Sequence, residues 1–196
     1  MKEQEVLKEF EETGAILRGH FKLTSGMHSD TYCQCARLLA HPDRSKKLCK
    51  ILAANVREKI KDKIDIVVAP AMGGVVIGYE MARQLGVPGI FCERVDGKFE
   101  FRRFDAPQGL NVLIVEDVVT TAKSSLETAD VVKALGGNVI GEASLIDRSN
   151  GESKKVLPFP LVSLLTLNVP IYDPANLPEH LKGTEAVKPG SGFLKS

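Results

Sequence analysis

Two adjacent carboxylates, Glu116 and Asp117, precede a cluster of hydroxyls, Thr120, Thr121 and Ser124, in the run Asn111 to Ser125. Ionised carboxylates are pure acceptors, so a neighbouring pair suits the two adjacent hydroxyls of a sugar ring. Small hydroxyl residues at a helix start suit a phosphate monoester, because the first helical amides lack partners and the macrodipole adds positive potential. Together they would hold a pentose 5-phosphate, its diol on Glu116 and Asp117 and its phosphate in the loop from Val118 to Ser124. An acidic pair at a strand end is, taken alone, most often a solvated turn. Ser124-Ser125-Leu126-Glu127 also reads as a capping box, which would claim the same amides.

The elements needed to position these groups are visible around them. Val112 to Val115 is apolar without alternation, the pattern of a strand buried on both faces, ending at the acidic pair. Leu126, Ala129, Val132 and Leu135 follow at helical spacing, with Gly136-Gly137 as the stop. Ile64 to Ala69 predicts a second buried strand, followed by Gly73-Gly74 and a helix from Val75 to Leu85. Glycines at that junction let backbone amides approach an anion, although strand-glycine-helix turns are common in α/β folds. Asn138 to Ile146 predicts a third strand, with Asp147-Arg148 at its end. An Arg there would face the same crevice as the phosphate loop and fits a planar carboxylate, since its fork pairs two oxygens; a surface Asp-Arg pair is the plainer alternative.

Other segments frame this centre. Lys2 to Glu12 reads as an amphipathic helix with Val6, Leu7 and Phe10 inward. Ala15 to Gln34 reads as short extended pieces broken at Gly19 and Ser25-Gly26, and it carries one phenol, Tyr32. His41-Pro42-Asp43 opens a long helix burying Leu48, Ile51, Leu52 and Val56. Glu93 to Arg103 predicts a hairpin-like excursion through Gly97, bearing Arg94, Lys98, Arg102 and Arg103. It is either a solvated ribbon or a lid that carries positive charge over a leaving group. Leu161 to Leu167 is a last strand-like run, followed by a proline-rich tail. His20, His28, His41 and His180 are scattered without triad or metal spacing.

The string from Asn111 to Ser125 resembles the phosphoribosyl-diphosphate signature of the type I phosphoribosyltransferases. Gly14 to Ser29, G-A-I-L-x-G-x-F-x-L-x-S-G-x-x-S, is similar to the amino-terminal hood of the orotate phosphoribosyltransferases. The resemblance implies a mostly parallel central sheet flanked by helices on both faces, with a small hood. It implies one domain over 1–196, in which 1–40 and the tail form the hood and 41–168 the α/β core. Phosphoribosyl diphosphate is then expected on Glu116, Asp117, Val118, Val119, Thr120, Thr121, Ala122, Lys123 and Ser124, with Gly73 and Gly74 at its pyrophosphate. Orotate is expected on Thr120, Arg148 and Tyr32, and Arg94, Lys98 and Asp117 are the expected catalytic groups. Magnesium is implied, held chiefly by substrate oxygens rather than by protein ligands, as is a homodimer in which the lid completes a neighbour's site. The chain departs from the family pattern: the Gly73-Gly74 turn lacks the Lys of some members, the lid lacks their His and is poorer in Lys, and three single positions differ. Ala122 stands where Gly is common, at a cost of roughly 1 kcal/mol or more if the loop needs positive φ. Lys123 is more usual in purine-using relatives, and Thr24 replaces a Lys. A purine-base phosphoribosyltransferase and a phosphoribosyl-diphosphate-sensing regulator are therefore the rival readings.

The bulk numbers set outer limits. A chain of 196 residues with 43% hydrophobic content buries about 70% of its unfolded surface and needs no disulfide or metal staple. A net charge of +1 argues against a broad nucleic-acid or membrane footprint. No long apolar run or leader pattern stands out. Cys33, Cys35, Cys49 and Cys92 lack framework or zinc spacing, which fits a reducing cytoplasm.

Overall fold

The computed structural model describes residues 3–23 and 25–188. Thr24 and Lys2, at the edges of two predicted segments, lie outside them, as do Gly190 and Ser191 of the tail. The first helix, α1 (Glu3–Glu12), buries Val6 and Phe10 as its spacing requires. A hairpin follows, β1 (Ile16–Lys22) with β2 (His28–Cys33), paired antiparallel. Gly19 does not break β1; the register shifts between Arg18 and Phe21, so the glycine sits in a bulge.

After a short helix, α2 (Cys35–Leu39), comes α3 (Pro42–Lys59) with Pro at its first turn and Leu48, Cys49, Leu52 and Val56 buried. The chain then alternates: β3 (Ile66–Pro70), α4 (Gly73–Leu85), β4 (Gly89–Val95), β5 (Lys98–Glu100), β6 (Asn111–Val119), α5 (Lys123–Ala134), β7 (Asn138–Asp147), α6 (Ser153–Val156) and β8 (Leu161–Thr166). The six-stranded sheet runs β5-β4-β3-β6-β7-β8, all parallel but for the edge pairing of β5 on β4.

Period-two alternation explains how one apolar run serves two layers. Val67, Leu113 and Val115 join the core beneath α1, α3 and α4, while Ile66, Val68, Val112 and Ile114 pack with Ala129 and Val132 of α5. Helices thus cover both faces. Between β3 and β4 the chain runs one way across the sheet, and from β6 to β8 the other. The reversal lies between adjacent β3 and β6, where open α/β sheets leave a crevice at the strands' carboxyl ends.

Three sequence expectations need correction. The central strand does not stop at Glu116 but continues to Val119, because β7 keeps pairing, Glu116 with Ser144 and Val119 with Asp147. Helix α5 ends at Ala134, leaving Leu135 exposed. The capping box does not form: the N-cap is Ala122, and Glu127 pairs instead with Arg94 and Lys123.

Candidate active site

Both helices that follow the strands at the reversal start at the same edge. Helix α4 begins at Gly73 rather than Val75, so both glycines lie in its first turn. A Cβ on Gly73 would meet Asp117 Oδ1 at 2.8 Å, and one on Gly74 would meet the Val115 carbonyl at 3.0 Å. Any larger residue would push α4 off the sheet or displace Asp117. Three residues after β6, Ala122 takes the left-handed conformation (φ 59°, ψ 14°) that turns the chain into α5. The first helical bond runs from the Leu126 amide to the Ala122 carbonyl at 2.9 Å. The amides just before it lie in a loop that, with Glu116, lines a small cavity of about 60 Å³.

A larger cavity of about 780 Å³ adjoins it and shares Thr120 and Thr121. Tyr32 of β2 and Arg148 at the end of β7 also line it. Arg148 is placed by its own backbone, whose amide donates to the Val119 carbonyl at 2.8 Å. Asp147 beside it is fully buried and accepts from the Ser149 amide at 2.9 Å. Ser153 Oγ donates to the Thr120 carbonyl at 2.8 Å, tying the loop to α6. Thr120 and Thr121 thus link the expected phosphate loop to the space that holds Tyr32 and Arg148, whereas Gly73, Gly74 and Asp117 line neither cavity.

The two carboxylates, adjacent in sequence, face opposite layers of the sheet. Alternation along β6 turns Asp117 to the α4 side, against Gly73, and Glu116 to the α5 side. Glu116 is buried, its Oε1 unpartnered, and burial together with nearby Glu142 and Asp117 pushes its carboxyl up to about 8. Glu142, beneath α5, accepts from Ser125 Oγ at 2.7 Å and is itself pushed up to about 7, mainly by burial. Asp117 is raised as well, by burial, although its Oδ1 accepts from the Val118 amide at 2.9 Å.

Arg94 and Lys98 line neither cavity, although Arg94 is near enough to Glu116 to favour its ionised form. Asp96 and Gly97, at φ 48° and 84°, make the tight turn between β4 and β5. Arg94 is engaged there: it pairs with Glu127, donates to the Gly97 carbonyl at 2.8 Å and lies 4.1 Å from the Phe99 ring centroid. Lys98 is exposed on β5. The hairpin is thus an edge extension of the sheet, anchored to α5.

Sequence reasoning missed the tail's share in the site. Asn168, Val169, Pro170, Ile171 and Lys188 line the larger cavity, with Lys22 from β1. Tyr172 exchanges two backbone bonds with His28, at 2.8 and 2.9 Å, and Ser29 Oγ donates to the Pro170 carbonyl at 2.7 Å. Three of the four histidines lie on the hood and tail, where His20 Nε2 is 2.6 Å from His28 Nδ1 and His180 Nε2 is 3.4 Å from Asp30, while His41 stands at the N-cap of α3. Only a fold brings such distant positions together; the one local signal was the tail's prolines.

Residues 36–159 match the phosphoribosyl transferase domain family. Over 192 residues, 97% of each chain, the sequence is 50% identical to the orotate phosphoribosyltransferase of Sphingopyxis alaskensis. The chain belongs to the orotate phosphoribosyltransferases. Among solved structures, the orotate phosphoribosyltransferase of Aeropyrum pernix superposes with a TM-score of 0.66 at 26% identity, covering 82% of this chain and 93% of that one. The adenine phosphoribosyltransferase of Saccharomyces cerevisiae, at 21% identity and a TM-score of 0.67, covers 81% of this chain and 99% of its own. The fold is therefore shared with a protein named for a purine base.

Proposed function

We infer that this chain transfers the 5-phosphoribosyl group from phosphoribosyl diphosphate to orotate, giving orotidine 5-phosphate and pyrophosphate in the synthesis of UMP. The observation that carries this reading is the pair of joined cavities, one phosphate-sized and ringed by helix-start amides, the other holding Arg148 and Tyr32, with Thr120 and Thr121 common to both. The bond from the anomeric carbon to the pyrophosphate oxygen breaks as the orotate ring nitrogen bonds to that carbon, through an oxocarbenium-like state, and the ring N–H proton leaves to the departing pyrophosphate or to water. The protein's work is positioning and charge neutralisation. The start of α5 takes the 5-phosphate, the Gly73-Gly74 turn takes the pyrophosphate, and Arg148 pairs with the orotate carboxylate. Asp117, beside Gly73, accepts from one ribose hydroxyl. Glu116 still holds a proton at neutral pH, so it can donate to the sugar as well as accept.

Among the described residues no group of three His, Cys, Asp or Glu could hold a metal. Magnesium would be carried by diphosphate oxygens and water, with Asp117 beside Gly73 the nearby protein carboxylate. The ion would neutralise charge on the leaving pyrophosphate. A homodimer is supported by an exposed apolar stripe on α4, Met72, Val76 and Tyr79, at helical spacing. The exposed β4–β5 hairpin, at the sheet edge, would bring Lys98 toward a partner's site, while Arg94 is held by Glu127 beside its own loop. Four buried free thiols fit a reducing cytoplasm, and among the described residues no helix is long and apolar enough to cross a membrane.

The test is pyrophosphate release with orotate, hypoxanthine, guanine or uracil as acceptor. Orotate-dependent release is expected. Turnover of a purine but not orotate would reverse the assignment, and diphosphate binding without any release would make the chain a sensor.

A further inference from the structure

The larger cavity holds more positive charge than Arg148 alone supplies. Phe21 and Val187 form a parallel bridge, in which the Lys22 amide donates to the Val187 carbonyl at 2.9 Å and the Val187 amide to the His20 carbonyl at 2.8 Å. That register sets Lys22 and Lys188 side by side, and both line the cavity with their side chains exposed. Among the described residues, neither lysine nor Arg148 forms an ion pair. The one acid lining the cavity, Glu152, is already paired with Lys155 at 2.6 Å. Lys22, Lys188 and Arg148 together give this side of the cavity a positive potential that would favour an anion there. They border the larger cavity rather than the phosphate-sized one, which places them on the acceptor's side.

We propose that the C-terminal strap is a specificity element: Lys188, set beside Lys22 by the Phe21–Val187 bridge, joins Arg148 in binding the carboxylate of the acceptor base. The proposal rests on orotate being that acceptor. A neutral base gains nothing from these lysines, so the strap biases the fold toward an anionic substrate.

Steady-state kinetics of the full chain with Lys188→Gln, Lys22→Gln and Lys188→Arg, each substrate varied in turn, test this. Loss of one charge-assisted contact should raise the KM for orotate about tenfold, with kcat and the KM for phosphoribosyl diphosphate within about twofold. Lys188→Arg should restore most of the loss, and kcat/KM for orotate should become less sensitive to salt in both Gln variants. An unchanged orotate KM, or a rise confined to the diphosphate, overturns the proposal. Should Lys188→Gln fail to fold, Lys22→Gln carries the same expectation. If the unmodified chain does not turn over orotate, the functional reading itself fails; if it does and the Gln variants match it, only the strap's role falls.

Discussion

The loop from Thr120 to Ser125 and the tail-covered hood border the same cavity but are built by opposite means. In the loop, neighbours in sequence do the shaping. Ala122 turns the chain and α5 starts at once, with one longer-range tie, from Ser153 to the Thr120 carbonyl. The hood and tail meet across more than a hundred positions of sequence, through backbone bonds from His28 to Tyr172 and from Lys22 to Val187. A phosphate site needs amides pointed at one spot, which a short loop supplies without help. A wall that selects the base needs side chains from several directions, and only long-range pairing gathers those.

If the loop edge carries the chemistry, the largest effect should come from Asp117→Asn. It keeps the shape beside Gly73 but removes an acceptor charge that strengthens as the ribose becomes cationic, so kcat/KM should fall about a hundredfold. Single-turnover kinetics would check this, and unchanged rates would remove Asp117 from the site. Arg148→Ala sharpens the contrast between loop and wall. It should raise the orotate KM about thirtyfold, the loss of a charged bidentate contact, while the diphosphate KM stays within about twofold. Equal rises in both would place Arg148 on the phosphate side instead.

Burial distinguishes the two regions further. The loop's underside holds Glu116 and Glu142, both raised by burial. A carboxyl raised from 4.5 to about 8 on folding contributes stability that is whole below about pH 4.5 and is lost as pH climbs through about 8. Glu116→Gln should therefore flatten the alkaline fall of the melting temperature, by about 5 °C between about pH 6 and pH 9. A parallel fall in both proteins would show that Glu116 is already ionised. In the hood, Ser29→Ala removes the bond to the Pro170 carbonyl and should cost about 1 kcal/mol. Hydrogen exchange at the Tyr172 amide should speed up while amides of β6 stay protected. Equal protection in both would mean that the Tyr172–His28 pair alone secures the tail.

This contrast also explains what was legible in the sequence. Strands β3, β6 and β7, the glycine turn and the hydroxyl loop were readable because each is contiguous and its hydrophobic period is strong. The continuation of β6 past Glu116 was not, because an acid pair looks like a strand end unless β7 is known to pair beyond it. Nor did sequence show that adjacent Glu116 and Asp117 face opposite layers; that followed only once the strand was known to include both. Arg94 looked like a free cation because its partner, Glu127, belongs to the next helix, where it was read as a cap. Lys22 and Lys188 carried no local signal at all, since their proximity depends on one bridge between Phe21 and Val187.

The smallest effect expected is at Ala122, where two opposing terms nearly cancel. A left-handed backbone at φ 59° costs a non-glycine residue about 1 kcal/mol, so Ala122→Gly should relieve that strain. The methyl is 2% exposed and packs with Val119, Leu157 and Leu161, and burying one such group contributes about 0.8 kcal/mol. Glycine also frees the unfolded chain, which favours unfolding by a further fraction of a kcal/mol. The sum should lie within about 0.5 kcal/mol of zero by urea denaturation, with the diphosphate KM unchanged because the amides keep their places. A gain above about 1 kcal/mol would mean the loop is held under strain by its surroundings. A loss above about 1.5 kcal/mol would mean that the methyl's packing under α6, rather than the turn itself, fixes where the phosphate amides point.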